Sequence, residues 1–301
     1  VVEKVTVEVP ALLEGARLDK AVAQLLGVSR AQAATIVAGG VELDGRPAEP
    51  SQRVVAGQTI SCRAPGETID LVPEEVAFDV LYEDDSMVVV DKPAGIAVHP
   101  GSGRSEGTLV AGLIARYPDL VGVGSPGRWG LVHRLDKDTS GALCVARTDS
   151  AFETLTGELR RREMSRVYTA LVEGEMAAPT GTIDAPIARD PSRPTRQVVT
   201  HGGRHARTHF DVLRYYEGID VSLLTVSLET GRTHQIRVHM ESIGHPVAGD
   251  WTYGATRRDL SLPRTFLHAS RLELTHPVSG ERLVVESPLP KDLESLLASL
   301  S

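Results

Sequence analysis

His133-Arg134-Leu135-Asp136-Lys137-Asp138-Thr139-Ser140-Gly141 runs directly into the continuous apolar segment Ala142-Leu143-Cys144-Val145-Ala146. A polar turn feeding a buried strand is a place where a carboxylate can be held rigidly and still face a cleft. A second marked stretch, Thr230-Gly231-Arg232-Thr233-His234-Gln235-Ile236-Arg237, opens a segment whose Ile236, Met240 and Ile243 share one helical face, so Arg232 is expected near a helix N-terminus. A carboxylate that does chemistry must stay ionised while shielded from water, and a neighbouring guanidinium lowers its pKa against the upward pull of desolvation. Asp136 and Arg232 are the expected pair. Alone, an aspartate in a turn reads as a cap or a surface charge, and an Asp–Arg pair can be purely structural; the second motif shifts the weight toward chemistry.

Strand patterns surround these motifs. Met87 to Val90, Arg166 to Val172 and Val221 to Leu228 read as strands, and Ala206, Thr208, Phe210 and Val212 alternate as another. Helices are expected at about 149–162, about 233–243 closed by Gly244, and about 291–300. Toward the start, residues 17–27 form an amphipathic pattern through Leu18, Val22, Leu25 and Leu26 that Gly27 stops. Ser29 and Gln32 make a capping box for a second helix ended by Gly39-Gly40. Val41-Glu42-Leu43 with an Asp44-Gly45 turn suggests a short hairpin, and Gly57-Gln58-Thr59-Ile60 a further strand. Pro65-Gly66 and Pro73-Glu74-Glu75 mark a linker, giving expected domains of 1–75 and 76–301. The fold class is α+β: a small domain of two helices and short strands, then a mixed, mainly antiparallel sheet flanked by helices.

The nonapeptide at 133–141 and the Gly-Arg-Thr-His-Gln-Ile-Arg run resemble the signature segments of the RluA family of RNA pseudouridine synthases, specifically the branch of the large-subunit ribosomal RNA synthase D. Asp91-Lys92-Pro93-Ala94-Gly95 leading to His99-Pro100 looks like that family's opening block, and residues 16–75 resemble the S4 RNA-binding fold. The resemblance covers nearly all of residues 76–298 and implies isomerisation of uridine in RNA: the C1′–N1 bond breaks, the uracil turns, and C5 joins C1′. It makes Asp136 the catalytic carboxylate, acting either by attack at C1′ or by taking a proton from C2′, with both routes open. Tyr168 matches the family's active-site tyrosine, which stacks on the base and assists loss of the C5 proton. Its alternation with Val167 and Thr169 sets it on the opposite strand face from them. Arg134 is implied to fill the gap left by an extruded base. His133 and Arg166 are expected to bind substrate, as is Leu267, which in Phe266-Leu267-His268-Ala269 would wall the uracil pocket. A helix-loop of 23S ribosomal RNA is the leading implied substrate and transfer RNA the other; no cofactor is implied.

Composition sets outer limits. The 301 residues carry a net charge of −8, which argues against a protein that coats nucleic acid through overall basicity. Locally the picture reverses: between Arg189 and Arg214 six arginines face only Asp190 and Asp211, and Arg160-Arg161-Arg162 with Arg166 add a second basic cluster. Phosphate contacts on one face fit this pattern, as would solvated loops. Residues 1–70 hold seven Lys/Arg against nine Asp/Glu, a poor balance for binding RNA unaided. Cys62 and Cys144 lie far apart, no apolar run approaches a membrane span, and the first residues lack a signal-peptide pattern. A cytoplasmic location is therefore the expectation, with the oligomeric state open and a monomer as the default.

Rival chemistries fare worse. His201, His205 and His209 fall at four-residue intervals, but Gly202-Gly203 and the alternation that follows speak for a strand, and no zinc-type ligand set accompanies them. His133 with Ser140 lacks a nucleophile elbow, and Gly101-Ser102-Gly103-Arg104 lacks the ending of a phosphate loop and reads as a mobile loop. A nucleoside or glycoside hydrolase would need a second carboxylate that is not evident. The serious alternative is a noncatalytic RNA-binding or ribosome-assembly protein, against which Asp136, Tyr168 and Arg232 together argue.

Overall fold

The computed structural model describes residues 4–26, 30–63, 72–100, 106–124, 128–193 and 195–300. The chain divides into two units, Val1–Asp70 and Leu71–Ser301. Pro65-Gly66, the Gly27 stop, the Ser29 cap and the 101–104 loop lie outside the described residues.

The first unit runs β1 (Lys4–Glu8), α1 (Leu18–Leu25), α2 (Arg30–Ala38), β2 (Val41–Leu43), β3 (Arg46–Ala48) and β4 (Thr59–Arg63). Its sheet has the order β1-β4-β2-β3, antiparallel throughout. Asp44 and Gly45 both take positive φ, as a tight two-residue hairpin requires. Leu18, Ala21 and Val22 of α1 pack with Ile36 and Val37 of α2 over Val41, Leu43 and Ile60. The helical stripe thus finds the sheet face that covers it.

The second unit begins with β5 (Asp79–Glu83), β6 (Met87–Lys92), α3 (Leu109–Arg116), β7 (Ser140–Ala146), α4 (Asp149–Arg161), β8 (Ser165–Glu173) and β9 (Thr180–Asp184). There follow a two-stranded hairpin of β10 (Ile187–Arg189) and β11 (Gln197–Val199), then β12 (Arg207–Tyr216), β13 (Val221–Leu228), α5 (Gln235–Ser242), β14 (Leu267–Thr275), β15 (Arg282–Glu286) and α6 (Lys291–Ser299). One nine-stranded sheet has the order β5-β6-β7-β14-β8-β13-β12-β9, with β15 paired to β14. Every pairing is antiparallel except β7 with β14, which are parallel and joined through just two residue pairs, His268↔Ser140 and Ala269↔Gly141. At that crossing Gly141 has φ +117°, and a Cβ there would sit 2.3 Å from the Ala269 carbonyl oxygen. Only glycine lets the strands approach so closely.

Helices cover both faces of the sheet. Val88, Val90, Leu143 and Val145 join Leu109, Leu113 and Ile114 of α3 and Ile236 and Met240 of α5 on one side. Met87, Val89 and Cys144 join Ala151 and Leu155 of α4 on the other. Helix α3 is not among the helices expected from the sequence. Leu109-Val110-Ala111-Gly112-Leu113-Ile114 is buried all round, so it has no polar face to mark a helical period. Among the described residues no helix is long and apolar enough to cross a membrane.

Candidate active site

Residues 131–139 form the loop that delivers Asp136 just before β7, and the loop is anchored from below. Lys92, fully buried at the end of β6, donates from Nζ to the carbonyls of Pro93, Ile96 and Lys137 at 2.8–3.0 Å. Burial pulls its pKa down to about 7, opposed by the charges of Asp136 and Asp138. One amine therefore ties the 93–96 turn to the residue after Asp136, a role the sequence reading did not assign.

The Asp136 carboxylate, 18% exposed, accepts from Arg237 Nη1 at 3.2 Å. This corrects the expected partner. Arg232 instead donates from Nε to the His205 carbonyl at 2.9 Å, and Arg237, in the first turn of α5, makes the ion pair. The loop between them explains the exchange. Gln235 Oε1 accepts from Thr230 Oγ1 and Arg232 N, its Nε2 donates to Arg207 O and Thr208 Oγ1, and His234 takes the left-handed conformation at φ 57°. The chain thereby turns sharply into α5 and presents Arg237 inward.

Arg237 serves two carboxylates. Its Nε and Nη2 donate to Asp250 Oδ2 and Oδ1 at 2.5 and 2.9 Å, and Asp250 is only 1% exposed. Burial works against the guanidinium charge, but Asp250 first and Asp136 second hold its pKa above the ordinary arginine value. The Tyr253 ring packs against both Arg237 and Arg196, with each guanidinium carbon 4.9 Å from its centroid. The Tyr253 hydroxyl accepts from Gln197 N at 2.8 Å and lies 2.9 Å from His234 Nδ1. Asp250 and Tyr253 come from an irregular turn with no periodic signal, and the sequence reading missed both.

Arg166 and Tyr168 alternate onto the buried face of β8, with Val167 and Thr169 on the other face. Burial raises the Tyr168 pKa, with Arg166 pulling the other way and Asp136 adding to the rise, so the residue is a phenol at neutral pH. Arg166 donates from Nη2 to Leu228 O at 3.3 Å, while its buried Nε has no partner among the described residues. His133 Nε2 accepts from Cys144 N at 3.1 Å, and burial followed by the charge of Arg166 depresses its pKa to about 3. The ring is therefore neutral with its proton on Nδ1, a buried donor that no described group accepts. Ser140 hydrogen-bonds His268 Nδ1 at 3.0 Å, which leaves no pairing of Ser140 with His133. His205 and His209 meet Asp184 and Glu229 on the surface, at 3.4 and 2.7 Å.

A cleft of about 490 Å3 collects these groups. His133, Arg134, Asp136, Arg166, Tyr168, Arg232 and Leu267 all line it, with Ile236 and Arg237. Seven arginines (128, 134, 160, 162, 166, 232, 237) and two carboxylates (Asp136, Glu229) are among its described lining residues. A chain of net charge −8 thus turns a positive cleft toward its ligand. Its volume suits a nucleotide, and its lining combines apolar walls, an aromatic ring and two ion-paired carboxylates.

Comparisons with known proteins identify the family. The family model described as RNA pseudouridylate synthase matches residues 86–242, and the S4 domain model matches residues 16–60. The ribosomal large subunit pseudouridine synthase D of Nitrosomonas europaea is 46% identical over 97% of this chain and 86% of its own length. An uncharacterized RNA pseudouridine synthase of Chloroflexus aurantiacus is 46% identical over 99% of this chain and 94% of its own length. Among solved structures, human RNA pseudouridylate synthase domain containing 1 superposes with a TM-score of 0.57 at 29% identity, covering 75% of this chain and 96% of that one. The chain belongs to the RNA pseudouridylate synthase family and is an RNA pseudouridine synthase that carries an S4 domain.

Proposed function

We propose that Asp136 is the catalytic carboxylate and that the substrate is a uridine in a helix-loop of 23S ribosomal RNA. The observation that carries the reading is the Asp136–Arg237 pair in a cleft that Tyr168 also lines. Attack at C1′ and removal of the C2′ proton both use a carboxylate oxygen, and Arg237 Nη1 fixes this carboxylate by donating to Oδ2 at 3.2 Å. Tyr168 offers a neutral ring for the extruded uracil to stack on and a hydroxyl whose titration feels the carboxylate. Stacking of this kind is worth roughly 1–3 kcal/mol per base. Arg134, exposed two residues before Asp136, is set to occupy the gap that extrusion leaves, while His133, Arg166 and Leu267 border the base. A binding protein without chemistry would have little use for a shielded carboxylate whose charge opposes RNA. The 23S assignment draws on the S4 domain and on relatives named as large-subunit synthases.

Carbodiimide mapping of pseudouridine tests both parts. Ribosomal and transfer RNA, unmodified at the outset, are incubated with wild-type protein and with Asp136→Asn. New marks at a few 23S uridines with wild type alone are expected. Marks in transfer RNA would move the substrate, and marks with Asp136→Asn would remove Asp136 from its role. Because Arg237 keeps Asp250 as a counterion, Asp136→Asn leaves no buried cation unpaired at this pair, so its melting temperature should stay near that of wild type.

A further inference from the structure

Beside the cleft, and sharing its wall at Gly231-Arg232-Thr233, lies a second recess of about 300 Å3. Its other sides come from β10, β11 and the turn Gly202-Gly203-Arg204. This turn is pressed onto β10: Ile187 N donates to Arg204 O at 2.9 Å and Arg204 N to Ile187 O at 2.8 Å. A Cβ on Gly203 would sit 2.7 Å from the Ile187 backbone, so glycine is needed for that approach. Arg204 is thereby carried out into solvent at one rim, with Arg189 exposed at another.

The charges around this recess are uncompensated. Arg189, Arg204 and Arg232 line it, and no carboxylate is among its described lining residues. Asp190, next in sequence to Arg189, turns back on its own loop, where Oδ1 accepts from Ser192 N, Ser192 Oγ and Arg193 N. Arg232 is oriented by its bond to His205 O and has no carboxylate partner among the described residues. Burial, then the neighbouring guanidiniums of Arg204, Arg162 and Arg166, lower its pKa. Cations gathered in this way repel one another until an anion sits among them.

We propose that this recess seats the phosphate of a nucleotide adjoining the target uridine, with Arg189, Arg204 and Arg232 as its cations. The assignment rests on the reading of the larger cleft as the uridine site. The shared wall lets one RNA strand occupy both recesses without a break. Guanidinium forks suit phosphate oxygens, and the described lining has no aromatic ring on which a base could stack. The subsite therefore fixes the register of the strand and leaves base identity unread.

The test is a fluorescence-anisotropy titration of a labelled single-stranded oligouridylate against protein carrying Asp136→Asn, repeated across a range of salt. Adding Arg189→Ala with Arg204→Ala should weaken binding about tenfold. Loss of this one phosphate contact should flatten the slope of log affinity against log salt by up to roughly 0.7. Arg189→Lys with Arg204→Lys should restore most of the slope. Arg271→Ala, which breaks the surface pair with Glu273 on β14, should change neither quantity. Unchanged affinity and slope in a folded Ala/Ala variant overturn the subsite. Pseudouridine mapping with wild type separates the two readings. If pseudouridine forms but binding is indifferent to Arg189 and Arg204, the subsite alone fails. If binding depends on them but no pseudouridine forms on the RNAs mapped, the reading of the larger cleft as the uridine site fails and the recess stands as an RNA-backbone site.

Discussion

Arg237 makes three hydrogen bonds to two carboxylates that enter the site from different loops, and it is 12% exposed. Replacing it with Gln strands Asp250 as an unpaired buried anion, which typically costs about 3–5 kcal/mol. Calorimetry should show the melting temperature falling by roughly 10 °C for a unit of this size, and single-turnover assays should show isomerisation lost. Arg232→Gln should behave differently, with weaker RNA binding and a melting temperature near wild type, since its fixed bond is a single one to a carbonyl. Equal loss of stability in both variants would count against the division of labour between them. His133 makes a prediction about pH. Its unfolded pKa is 6.5 and its folded value about 3, so between these values the unfolded chain binds a proton that the folded chain refuses. Stability contributed by the neutral ring is thus lost as pH falls through this window, on the order of 2 kcal/mol by pH 5. Urea midpoints at pH 7 and pH 5 should differ less in His133→Asn than in wild type.

At the scale of elements, the contact between β7 and β14 is the most demanding local fit. Gly141→Ala combines a strained φ with a Cβ 2.3 Å from a carbonyl oxygen. It should destabilise by more than about 4 kcal/mol. Denaturant unfolding followed by circular dichroism would show it, and a loss below about 1 kcal/mol would mean that the strands can part cheaply. Much of this architecture was legible in the sequence, because helices α1, α4, α5 and α6 and strands β6, β8, β12 and β13 carry clear local patterns of burial. Helix α3 does not, since its faces are alike, and β1 pairs with a strand that lies 55 residues away at Thr6 and Ser61, a contact no local pattern announces. In the site, the motifs identified every residue expected at the cleft but mispaired Asp136. Motif spacing says that an arginine is near; which one reaches inward depends on the left-handed turn at His234 and on Asp250, both products of the assembled fold.

For the whole molecule, charge is divided by place. The S4 unit is acidic overall, the chain carries −8, and the cleft and its neighbouring recess concentrate arginines. Long-range attraction to RNA is therefore weak, and binding depends on reaching a particular surface. Removing residues 1–70 should raise the Kd for the mapped RNA while leaving turnover at saturating RNA nearly unchanged. An unaltered Kd in the shortened chain would strip the S4 domain of a part in substrate capture. The nine-stranded sheet adds a condition of its own, because β7 and β14 are paired through just two residue pairs. Asp136 leads into the strand on one side of this seam. Tyr168 stands on the far side, and Arg237 reaches across to Asp136 from α5, which follows β13 on that far side. Carboxylate, ring and guanidinium thus belong to different banks of one narrow join, and the tolerance with which they meet is set by how firmly that join is stitched. A mutation remote from the cleft that loosens the stitching would leave every side chain of the site in place and still take the site out of register.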